Sequence, residues 1–395
     1  MSFDIALSGL GATNTQLNTI SNNIANVSTT GFKESRTEFS SVYNGIQAGG
    51  VEVAAISQNF DKNGSVSGTG RSLDLAIGGN GFFVTKDTSG QVVYTRSGVF
   101  NTDKDNNIVS NTGMKLQGYT VDANNNLQSG AVGDLQIKTA SLAAQATDRV
   151  DFVANFDSRV NTPAVAPFDM TDHDTYNSSY TTKVYDSLGN PHTMTQYFVK
   201  TGANAWDIHV SVDGAAPGAP QAATFNTDGT LATPAAPFNI AFNPAGADPM
   251  SIDIDLLGTT QFGADFGTST NNPNGYSSGD LTGVRVEDNG MVYATYTNGQ
   301  SLLQGQVMLA DFANPQALVK VSNTGWQQSF GSGAPITGQP GSGILGSLTP
   351  GALEGSNVDL TSELVNLMTA QRNYQANAKT ISTTEQLTQA LFNAI

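Results

Sequence analysis

Matching hydrophobic patterns at the two ends of the chain constrain its fold more than any other feature. Near the N-terminus, one stripe steps by alternating intervals of four and three residues: Ala6, Leu10, Thr13, Leu17, Ile20, Ile24 and Val27. Near the C-terminus, the same intervals connect Leu360, Leu364, Leu367, Gln371, Tyr374, Ala378 and Ile381. This heptad spacing is typical of a helix that packs lengthwise against another helix. The sequence therefore predicts coiled-coil-type helices over residues 1–30 and 356–395 that meet each other.

The boundaries of these two helices carry termination and capping signals. Gly31 can adopt the left-handed conformation that closes a helix, and the Ser and Thr residues before it weaken helix continuation. Residues 356–359, Ser-Asn-Val-Asp, are predicted to cap the C-terminal helix. The outer face of the first helix carries Thr, Asn, Ser and Gln rather than Lys and Glu. Solvated helices usually carry charge there, so we interpret this helix as packed inside an assembly, with docking on its own domain as the alternative.

Between the helices, the sequence predicts two β domains, one inserted into the other. Residues 71–144 contain turn signals roughly every 8–12 residues, among them Asp87–Gly90, which is typical of a sandwich or barrel. Residues 281–330 return to this style and are assigned to the same discontinuous domain. Residues 145–280, with Pro, Ala and Gly clusters between strand-like runs, are predicted to be an inserted second β domain. Residues 31–70 and 331–355 are predicted to be linkers, the first with short strands or an extended connector.

Composition excludes several classes of function. The chain of 395 residues has 17 Lys and Arg against 33 Asp and Glu, a net charge of −16. Nucleic acid and anionic membranes are therefore not expected as partners, because phosphates require a basic surface. The chain contains no Cys, so disulfides, thiolate metal sites and Cys nucleophiles are excluded.

The N-terminal segment does not have the pattern of a cleaved signal peptide. Asp4 is the only charged residue before Lys33, so a basic leading region is missing. We expect no membrane insertion, because no apolar run of about 18 residues occurs. If the protein is exported, its export signal is predicted to be uncleaved.

Candidate catalytic and metal sites are weak. Asp103-x-Asp105-x-Asn107 hints at a calcium loop, but Ile108 and Met114 stand where such a loop needs Gly and Glu. Three histidines share no ligand spacing and offer little material for acid–base chemistry: His173, His192 and His209. The sequence therefore predicts no enzyme, no cofactor and no metal.

Two terminal motifs resemble those of a known family. The N-terminal motif contains Asn22, Asn23, Ala25, Asn26, Gly31, Phe32 and Lys33. The C-terminal motif, within residues 367–381, contains Gln371, Arg372, Tyr374 and Asn377. Taken as a pair, they resemble the terminal motifs of the bacterial flagellar rod and hook axial proteins. The length and the middle of the chain are most similar to the hook members of that family.

This resemblance implies a structural subunit that self-assembles into a curved hollow tube on the cell surface. The tube would join the rod to the filament, transmit torque and act as a universal joint. Terminal helices would form its inner layer, the first β domain the middle shell, and the inserted domain the outer surface. Implied partners are other copies of the chain, the distal rod, the hook cap, the hook–filament junction protein and the flagellar type III export apparatus. The alternatives are a distal rod protein and a secreted β-rich adhesin or carbohydrate-binding protein.

Overall fold

A computed structural model describes residues 2–44, 47–122 and 125–393 of the chain. Helix α1 spans Ser2–Ala25 and helix α2 spans Leu360–Asn393, and the elements described between them are mostly strands. The predicted fold class, mainly β with helical termini, is confirmed. Of the predicted helical ranges, Met1, Ala394 and Ile395 lie outside the described residues.

Helix α1 ends at Ala25 rather than at residue 30. The Asn26 side chain donates a hydrogen bond to the Asn22 carbonyl oxygen at 2.9 Å. The Asn26 amide is shared between the Asn22 and Asn23 carbonyl oxygens. Asn side chains compete with the helical backbone in this way, so the chain leaves the helix before it reaches Gly31. Val27 of the predicted stripe therefore lies beyond the helix.

The chain divides into two compact units. Unit 1 comprises Met1–Thr139, Gly283–Thr295 and Ser301–Ile395, and unit 2 comprises Ala140–Thr282 and Tyr296–Gln300. The range 145–280, for which the sequence predicts an inserted domain, falls within unit 2.

Two groups of strands, early and late in the sequence, build unit 1. The early strands are β1 (Ser35–Asn44), β2 (Gln47–Gln58), β3 (Val66–Gly68), β4 (Leu75–Gly78), β5 (Phe82–Lys86), β6 (Val92–Thr95), β7 (Phe100–Thr102), β8 (Ile108–Ser110), β9 (Lys115–Val121) and β10 (Leu127–Asp134). Ten strands of the inserted segment follow and are given below as β11 to β20. The late strands are β21 (Leu281–Val286), β22 (Met291–Tyr296), β23 (Ser301–Val307), β24 (Leu309–Asp311), β25 (Val319–Val321), β26 (Gly325–Gln327), β27 (Ile336–Gly338), β28 (Ser347–Pro350) and β29 (Ala352–Glu354).

One large sheet combines strands from both groups. Its main order is β21-β22-β23-β9-β5-β6-β26-β25, with β7, β8, β10, β24 and β27 attached. The predicted turn at Asp87–Gly90 joins β5 to β6, and the Asp87 side chain accepts hydrogen bonds from the Ser89 and Gln91 amides. An aromatic cluster fills the core of this unit: Phe60, Phe82, Tyr94, Tyr119, Phe312 and Trp326.

The range 31–70 contains a long antiparallel hairpin, β1–β2. Its register pairs Ser35 with Gln58 and includes two irregularities. The short strands β3 and β4 pair with β29 and β28, which precede α2. The chain segments next to the two terminal helices are thus hydrogen-bonded to each other.

Unit 2 is a sandwich of two sheets. Its strands are β11 (Arg149–Asp157), β12 (Ser178–Tyr185), β13 (Pro191–Gly202), β14 (Ala205–Val212), β15 (Gln221–Phe225), β16 (Leu231–Thr233), β17 (Phe238–Phe242), β18 (Met250–Asp255), β19 (Thr260–Phe262) and β20 (Gly267–Pro273). One sheet runs β17-β18-β11-β19 with β20 on β11, and the other runs β12-β13-β14-β15-β16. Alternate residues of β11 and β14 point inward, as expected for half-buried strands. The core between the sheets includes Phe152, Phe156, Phe198, Trp206 and Ile254.

A histidine between two carboxylates makes the stability of unit 2 sensitive to pH. His192 Nδ1 lies 2.6 Å from Asp213 Oδ2, and its Nε2 lies 3.3 Å from Asp186 Oδ2. Burial lowers the pKa of His192, but hydrogen bonds with Asp213 and Asp186 raise it overall. Burial likewise opposes ionisation of Asp186, yet hydrogen bonds from Asn190 and His192 lower its pKa to about 2.

We expect His192 to stabilise the fold below about pH 6.5, its ordinary pKa, and to lose this effect as pH rises through the raised pKa. The contribution of Asp186 is present above about pH 4 and is lost as pH falls towards 2. In thermal unfolding, the melting temperature of the wild type minus that of His192→Gln should be larger at pH 5.5 than at pH 8.5. His209→Gln is the control. Burial lowers the pKa of His209. The melting temperature of the wild type minus that of His209→Gln should therefore be smaller at pH 5.5 than at pH 8.5. A His192 difference that is the same at both pH values would contradict the prediction.

Candidate assembly site at the terminal helices

Helices α1 and α2 pack antiparallel. Gly9 of α1 faces Asn377 near the middle of α2, whereas Ile20 lines the same cleft as Glu363 in the first turn of α2. A Cβ atom on Gly9 would lie 2.8 Å from Asn377 Nδ2, so a side chain there would displace the Asn377 amide group. Asn377, a residue of the C-terminal motif, is half-buried and lies in the contact between the two helices.

The structure separates the predicted stripe residues into three classes of burial. Ala6 and Ile20 are buried. A second class is half-buried: Leu10, Leu17, Ile24, Val27, Leu367, Ala378 and Ile381. A third class, on α2, stays 42–45% exposed: Leu360, Leu364 and Tyr374.

The buried face of α2 is rotated from the predicted stripe towards small and polar residues. Its most buried members are Glu363 and Ala370, at 3% and 0% exposed. Consequently, the apolar side chains Leu360, Leu364 and Tyr374 lie at the edge of the α1–α2 contact. Their packing against another copy of the chain stays a prediction.

Several threonine hydroxyl groups on the two helices donate hydrogen bonds to backbone carbonyl oxygens of their own helix. Thr13 donates to the Gly9 carbonyl oxygen at 2.7 Å and Thr19 donates to the Thr15 carbonyl oxygen at 3.0 Å. On α2 the same four-residue contact recurs, for example from Thr380 to the Ala376 carbonyl oxygen. These hydroxyl groups bond within the helix and leave surfaces without charge.

Asn23 of the N-terminal motif joins the end of α1 to the start of β1. Its side-chain amide donates to the Ser35 carbonyl oxygen at 2.8 Å, and its Oδ1 accepts from the Ser35 amide at 3.0 Å. The buried Asn23 side chain therefore pairs with the β1 backbone like a neighbouring strand. Asn26 stabilises the following turn by accepting a hydrogen bond from Thr29 at 3.0 Å.

Gly31 lies against the backbone of a distant segment. Its φ is 71°, and a Cβ atom there would lie 2.5 Å from the Arg96 carbonyl carbon. The Gly31 amide donates to the Glu354 carbonyl oxygen at 2.9 Å. Both the backbone conformation and the space therefore require glycine.

Lys33 belongs to a buried ion cluster that joins three distant segments. Lys33 Nζ lies 2.9 Å from Glu354 Oε1, and Arg96 NH1 lies 3.2 Å from Glu354 Oε2. All three side chains are at most 2% exposed. Lys33 also donates to the Lys62 carbonyl oxygen, and Arg96 donates to the Gly79 carbonyl oxygen. This Lys33–Arg96–Glu354 cluster fixes the exit of α1 and the approach to α2 on unit 1.

Burial dominates the electrostatics of the cluster. It lowers the pKa of Lys33, and the nearby Arg96 charge lowers it further, although Glu354 opposes both effects. Burial also lowers the pKa of Arg96, against the attraction of Glu354. Two cations thus share one carboxylate, so Glu354 is the residue on which the charge balance depends.

Sequence reasoning missed Arg96, Glu354 and Asn357 as partners of the N-terminal motif. Asn357 Oδ1 accepts from the Glu34 amide at 2.6 Å, and its side-chain amide donates to the Asn59 and Lys62 carbonyl oxygens at 2.9 Å. One signal was available, because Glu354 is the only charged residue between Lys320 and Asp359. A lone charge in a neutral segment indicates a specific partner. At the start of α2, Asp359 accepts from the Ser362 amide at 3.0 Å, in line with the predicted cap.

The hairpin β1–β2 packs against α1. The Ser8 hydroxyl accepts a hydrogen bond from the Val51 amide at 3.2 Å. Gly50 has a φ of 115°, and a Cβ atom there would lie 2.2 Å from Ser8 Oγ. Along this junction runs an open groove of about 480 Å³, lined by Ile5, Ala12, Phe39, Val51 and Ala376 among others.

The other motif residues point away from these contacts. Asn22, Ala25, Gln371 and Arg372 are exposed, and Phe32 is half-buried. They are therefore available for contacts beyond the single chain.

Metal binding and membrane insertion have little support among the residues that the structure describes. Asp103 Oδ1 accepts from the Asp105 and Asn107 amides and Oδ2 from the Asn107 side chain, which makes residues 103–107 a turn. No group of three or more His, Cys, Asp or Glu side chains that could hold a metal ion occurs among residues 2–44, 47–122 and 125–393. Neither described helix is long and apolar enough to cross a membrane.

Four family models match successive parts of the chain. The Flagella basal body rod protein model matches residues 3–33, and the Flagellar hook protein FlgE/F/G D1 domain model matches residues 76–147. The Flagellar basal body protein FlaE D2 domain model matches residues 155–276. The Flagellar basal body rod FlgEFG protein C-terminal model matches residues 349–394.

Similarity to characterised proteins extends over the full length. The chain is 40% identical to Flagellar hook protein FlgE of Escherichia coli (strain K12) over 405 residues, covering 100% of both chains. It is 34% identical to Flagellar hook protein FlgE of Rhizobium meliloti (strain 1021), covering 98% of this chain and 97% of that protein. The crystal structure of Helicobacter pylori flagellar hook protein FlgE2 has a similar fold, with a TM-score of 0.55 at 13% identity over 71% of this chain and 98% of that chain.

Proposed function

This chain belongs to the bacterial flagellar hook protein family, and we propose that its copies assemble into the flexible hollow tube that links rod to filament. In this tube, the terminal helices form the inner layer and hold neighbouring subunits together. The subunit transmits torque as a structural element and catalyses no reaction. The tube lies outside the cell, and its subunits reach it through the flagellar type III export apparatus without loss of a signal peptide.

One observation carries the proposal: apolar side chains remain exposed on the elements that hold the family motifs. On α2, Leu364, Val365 and Met368 are 45–53% exposed, and on α1, Leu7 is 53% exposed. On the hairpin, Tyr43 is 67% exposed. Exposed apolar side chains in such number are typical of an interaction site. Because the helices carry few charges, another neutral helix fits this surface.

The remaining partners follow from the position of a hook within the flagellum. We propose that the assembled tube contacts the distal rod at one end, and the hook cap or the hook–filament junction protein at the other. A distal rod protein of the same family is the first alternative, but the full-length relatives named above are hook proteins. A secreted adhesin is the second alternative, and it leaves the exposed apolar helix face unexplained.

Polymerisation of the purified full-length protein tests the proposal. We expect the protein to form tubes at high concentration or high salt, visible by negative-stain electron microscopy. Helix content measured by circular dichroism should rise on assembly, because isolated terminal helices are only marginally stable. A protein that stays monomeric under all such conditions, or binds glycans as a monomer, would favour the adhesin.

A charged residue on the exposed helix face should prevent assembly without unfolding the subunit. Leu364→Asp would place an unpaired carboxylate in the proposed contact between subunits, where its desolvation is unfavourable. We expect the concentration needed for polymerisation to rise at least about tenfold, a change of about 1.4 kcal/mol, with unchanged melting of the β units. Leu257→Asp is the matched control, because Leu257 is 59% exposed in unit 2. Equal polymerisation of Leu364→Asp and the wild type, measured by sedimentation, would contradict the helix-packing proposal.

A further inference from the structure

Two carboxylates that form no ion pair with any described residue line a cleft beside the start of α2. The cleft has a volume of about 230 Å³, and Glu34, just before β1, lines it together with Glu363. Thr19 and Thr37 contribute further oxygen atoms. Arg36 also lines the cleft, but its guanidinium is bound to Glu38 at 2.7 Å. The volume exceeds the roughly 30 Å³ that one water molecule occupies in the liquid several-fold, so a planar cationic group fits.

One carboxylate oxygen of Glu363 is buried beside this cleft without a hydrogen-bond donor. The Glu363 side chain is 3% exposed, and its Oε2 atom has no hydrogen-bond partner in the described structure. Burial and the neighbouring Glu34 carboxylate raise the pKa of Glu363, although hydrogen bonds from Asn23 and Asn366 oppose this effect. A buried carboxylate oxygen without a donor is unfavourable. The cleft therefore fits a cation with several hydrogen-bond donors.

The same helix carries such a cation in an exposed position. Arg372 and Lys379 are the basic residues of α2, and Arg372 forms no ion pair with any described residue. Val365 and Met368 are both exposed apolar side chains. They precede Arg372 by seven and four residues, about two turns and one turn, and therefore lie on the same face of the helix. Arg372 thus stands within the apolar surface proposed to contact another subunit.

Arg372 cannot reach the cleft of its own chain. It follows Glu363 by nine residues, which is about 13.5 Å along the axis and about two and a half turns. The two residues therefore point to opposite sides of α2. When a donor and its acceptor lie on opposite faces, copies join head to tail, and such contacts produce rings or open helical polymers.

We propose that Arg372 of one subunit enters the Glu34–Glu363 cleft of a neighbouring copy of this chain and forms an ion pair there. The planar guanidinium can donate to both carboxylates at once, which lysine cannot do in the same geometry. Val365 and Met368 then cover the rim of the cleft and exclude water. This inference rests on the proposed polymer and assigns it one specific contact.

Charge exchange in the full-length protein tests the contact, after the wild type has been shown to polymerise. Arg372→Glu should raise the concentration needed for polymerisation at least about tenfold, because loss of one partner leaves the other charge unpaired. Lys379→Glu is the matched control, with the same charge change on the same helix, about 10.5 Å away, and it should change this concentration less than about twofold. Adding Glu34→Lys to Arg372→Glu exchanges the two charges and should restore polymerisation to within about threefold of the wild type.

Each outcome decides the question. Polymerisation of Arg372→Glu at the wild-type concentration overturns the contact, as does an equal defect in Lys379→Glu. A double variant that is folded by circular dichroism but assembles no better than Arg372→Glu also overturns it. If the double variant is unfolded, Arg372→Gln and Lys379→Gln are compared instead. The contact requires that Arg372→Gln raise the concentration needed for polymerisation at least about tenfold while Lys379→Gln does not. A wild type that forms no polymer counts against the proposed function itself rather than against this contact.

Discussion

Glu354→Gln is expected to lower the free energy of unfolding by about 3–5 kcal/mol, the usual cost of breaking a buried ion pair by removing one partner. Glu354 is the shared carboxylate of the buried cluster, 2.9 Å from Lys33 Nζ and 3.2 Å from Arg96 NH1. Without its charge, the two buried cations lose their shared ion-pair partner, and only the weaker attraction of Asp311 for Arg96 remains. Glutamine keeps the size of the side chain, so the change isolates the charge.

The charge balance of the cluster also predicts how strongly substitutions of its three members destabilise the fold relative to one another. Lys33→Met leaves Arg96 and Glu354 as a balanced pair and fills the space of the lysine stem, so it should destabilise less than Glu354→Gln. Arg96→Met leaves Lys33 and Glu354 balanced, but it also removes the 2.8 Å hydrogen bond from Arg96 NH2 to the Gly79 carbonyl oxygen. That oxygen then keeps only the longer bond of 3.3 Å from the Asn63 side chain. The loss in free energy of unfolding caused by Arg96→Met should therefore lie between those of Lys33→Met and Glu354→Gln.

Chemical denaturation of the full-length monomer, with separate probes for the two units, measures these differences. Glu38→Gln is the matched control, because its ion pair with Arg36 lies on the surface, with 40% and 77% of the side chains exposed. We expect no measurable change there. Equal stability of Glu354→Gln and Glu38→Gln would show that the buried cluster does not hold the terminal segments on unit 1.

Periodicity made the main elements of this fold predictable from the sequence. Alternating and turn-forming residues indicate strands because inward and outward positions repeat every two residues. The turn at Asp87–Gly90 needed no tertiary information, since the Asp87 side chain binds amides two and four residues ahead. The terminal helices were equally visible, because a stripe of apolar residues at heptad spacing has few other interpretations.

The buried face of α2 was less predictable, because a hydrophobicity pattern assumes that the most apolar face is buried in the monomer. Here Ala370 and Glu363 are buried while Leu364 stays exposed. Close helix packing favours the small residue, and we expect the exposed apolar residues to contact other copies of the chain. The most apolar face of α2 is therefore not the face that is buried within the single chain, and the hydrophobic pattern predicts the orientation of the helix about its axis incorrectly.

The ion cluster could not be predicted because its members are distant in sequence. Lys33 and Glu354 are 321 residues apart, and Arg96 and Glu354 are 258 residues apart. The pairing of β3 with β29 and the hydrogen bond from the Gly31 amide to the Glu354 carbonyl oxygen bring Glu354 to the N-terminal motif. No local pattern encodes these contacts, although Glu354 is a lone charge in a neutral segment.

Excision of most of unit 2 is expected to leave unit 1 folded and able to polymerise. The two ends of unit 2 are already joined, since the amides and carbonyl oxygens of Gln145 and Tyr276 bond reciprocally at 3.0 Å. Leu142 and Gly279 pair in the same antiparallel register. Residues 146–275 can therefore be replaced by Asn-Gly, which forms a two-residue hairpin turn between such paired residues.

The physical reason is that the two units have separate cores. The unit 2 core lies between its own sheets, around Phe156 and Trp206, whereas Phe82 and Trp326 belong to the core of unit 1. Units with their own cores fold independently as a rule. The isolated fragment 140–282 is the complementary control, and it should be a folded β monomer that forms no tubes because it lacks both terminal helices.

The shape of the shortened polymer then tests what the inserted segment does. If it forms the outer surface of the tube, as the family resemblance implies, its contacts act at large radius, where small differences in spacing along the axis produce curvature. The excised protein should therefore form straighter tubes, and cells that carry it should swim poorly although they have filaments. Negative-stain images of wild-type and excised polymers measure the curvature directly. Failure of the excised protein to assemble, with unit 1 still folded by circular dichroism, would mean that unit 2 rather than the helix pair holds neighbouring subunits together.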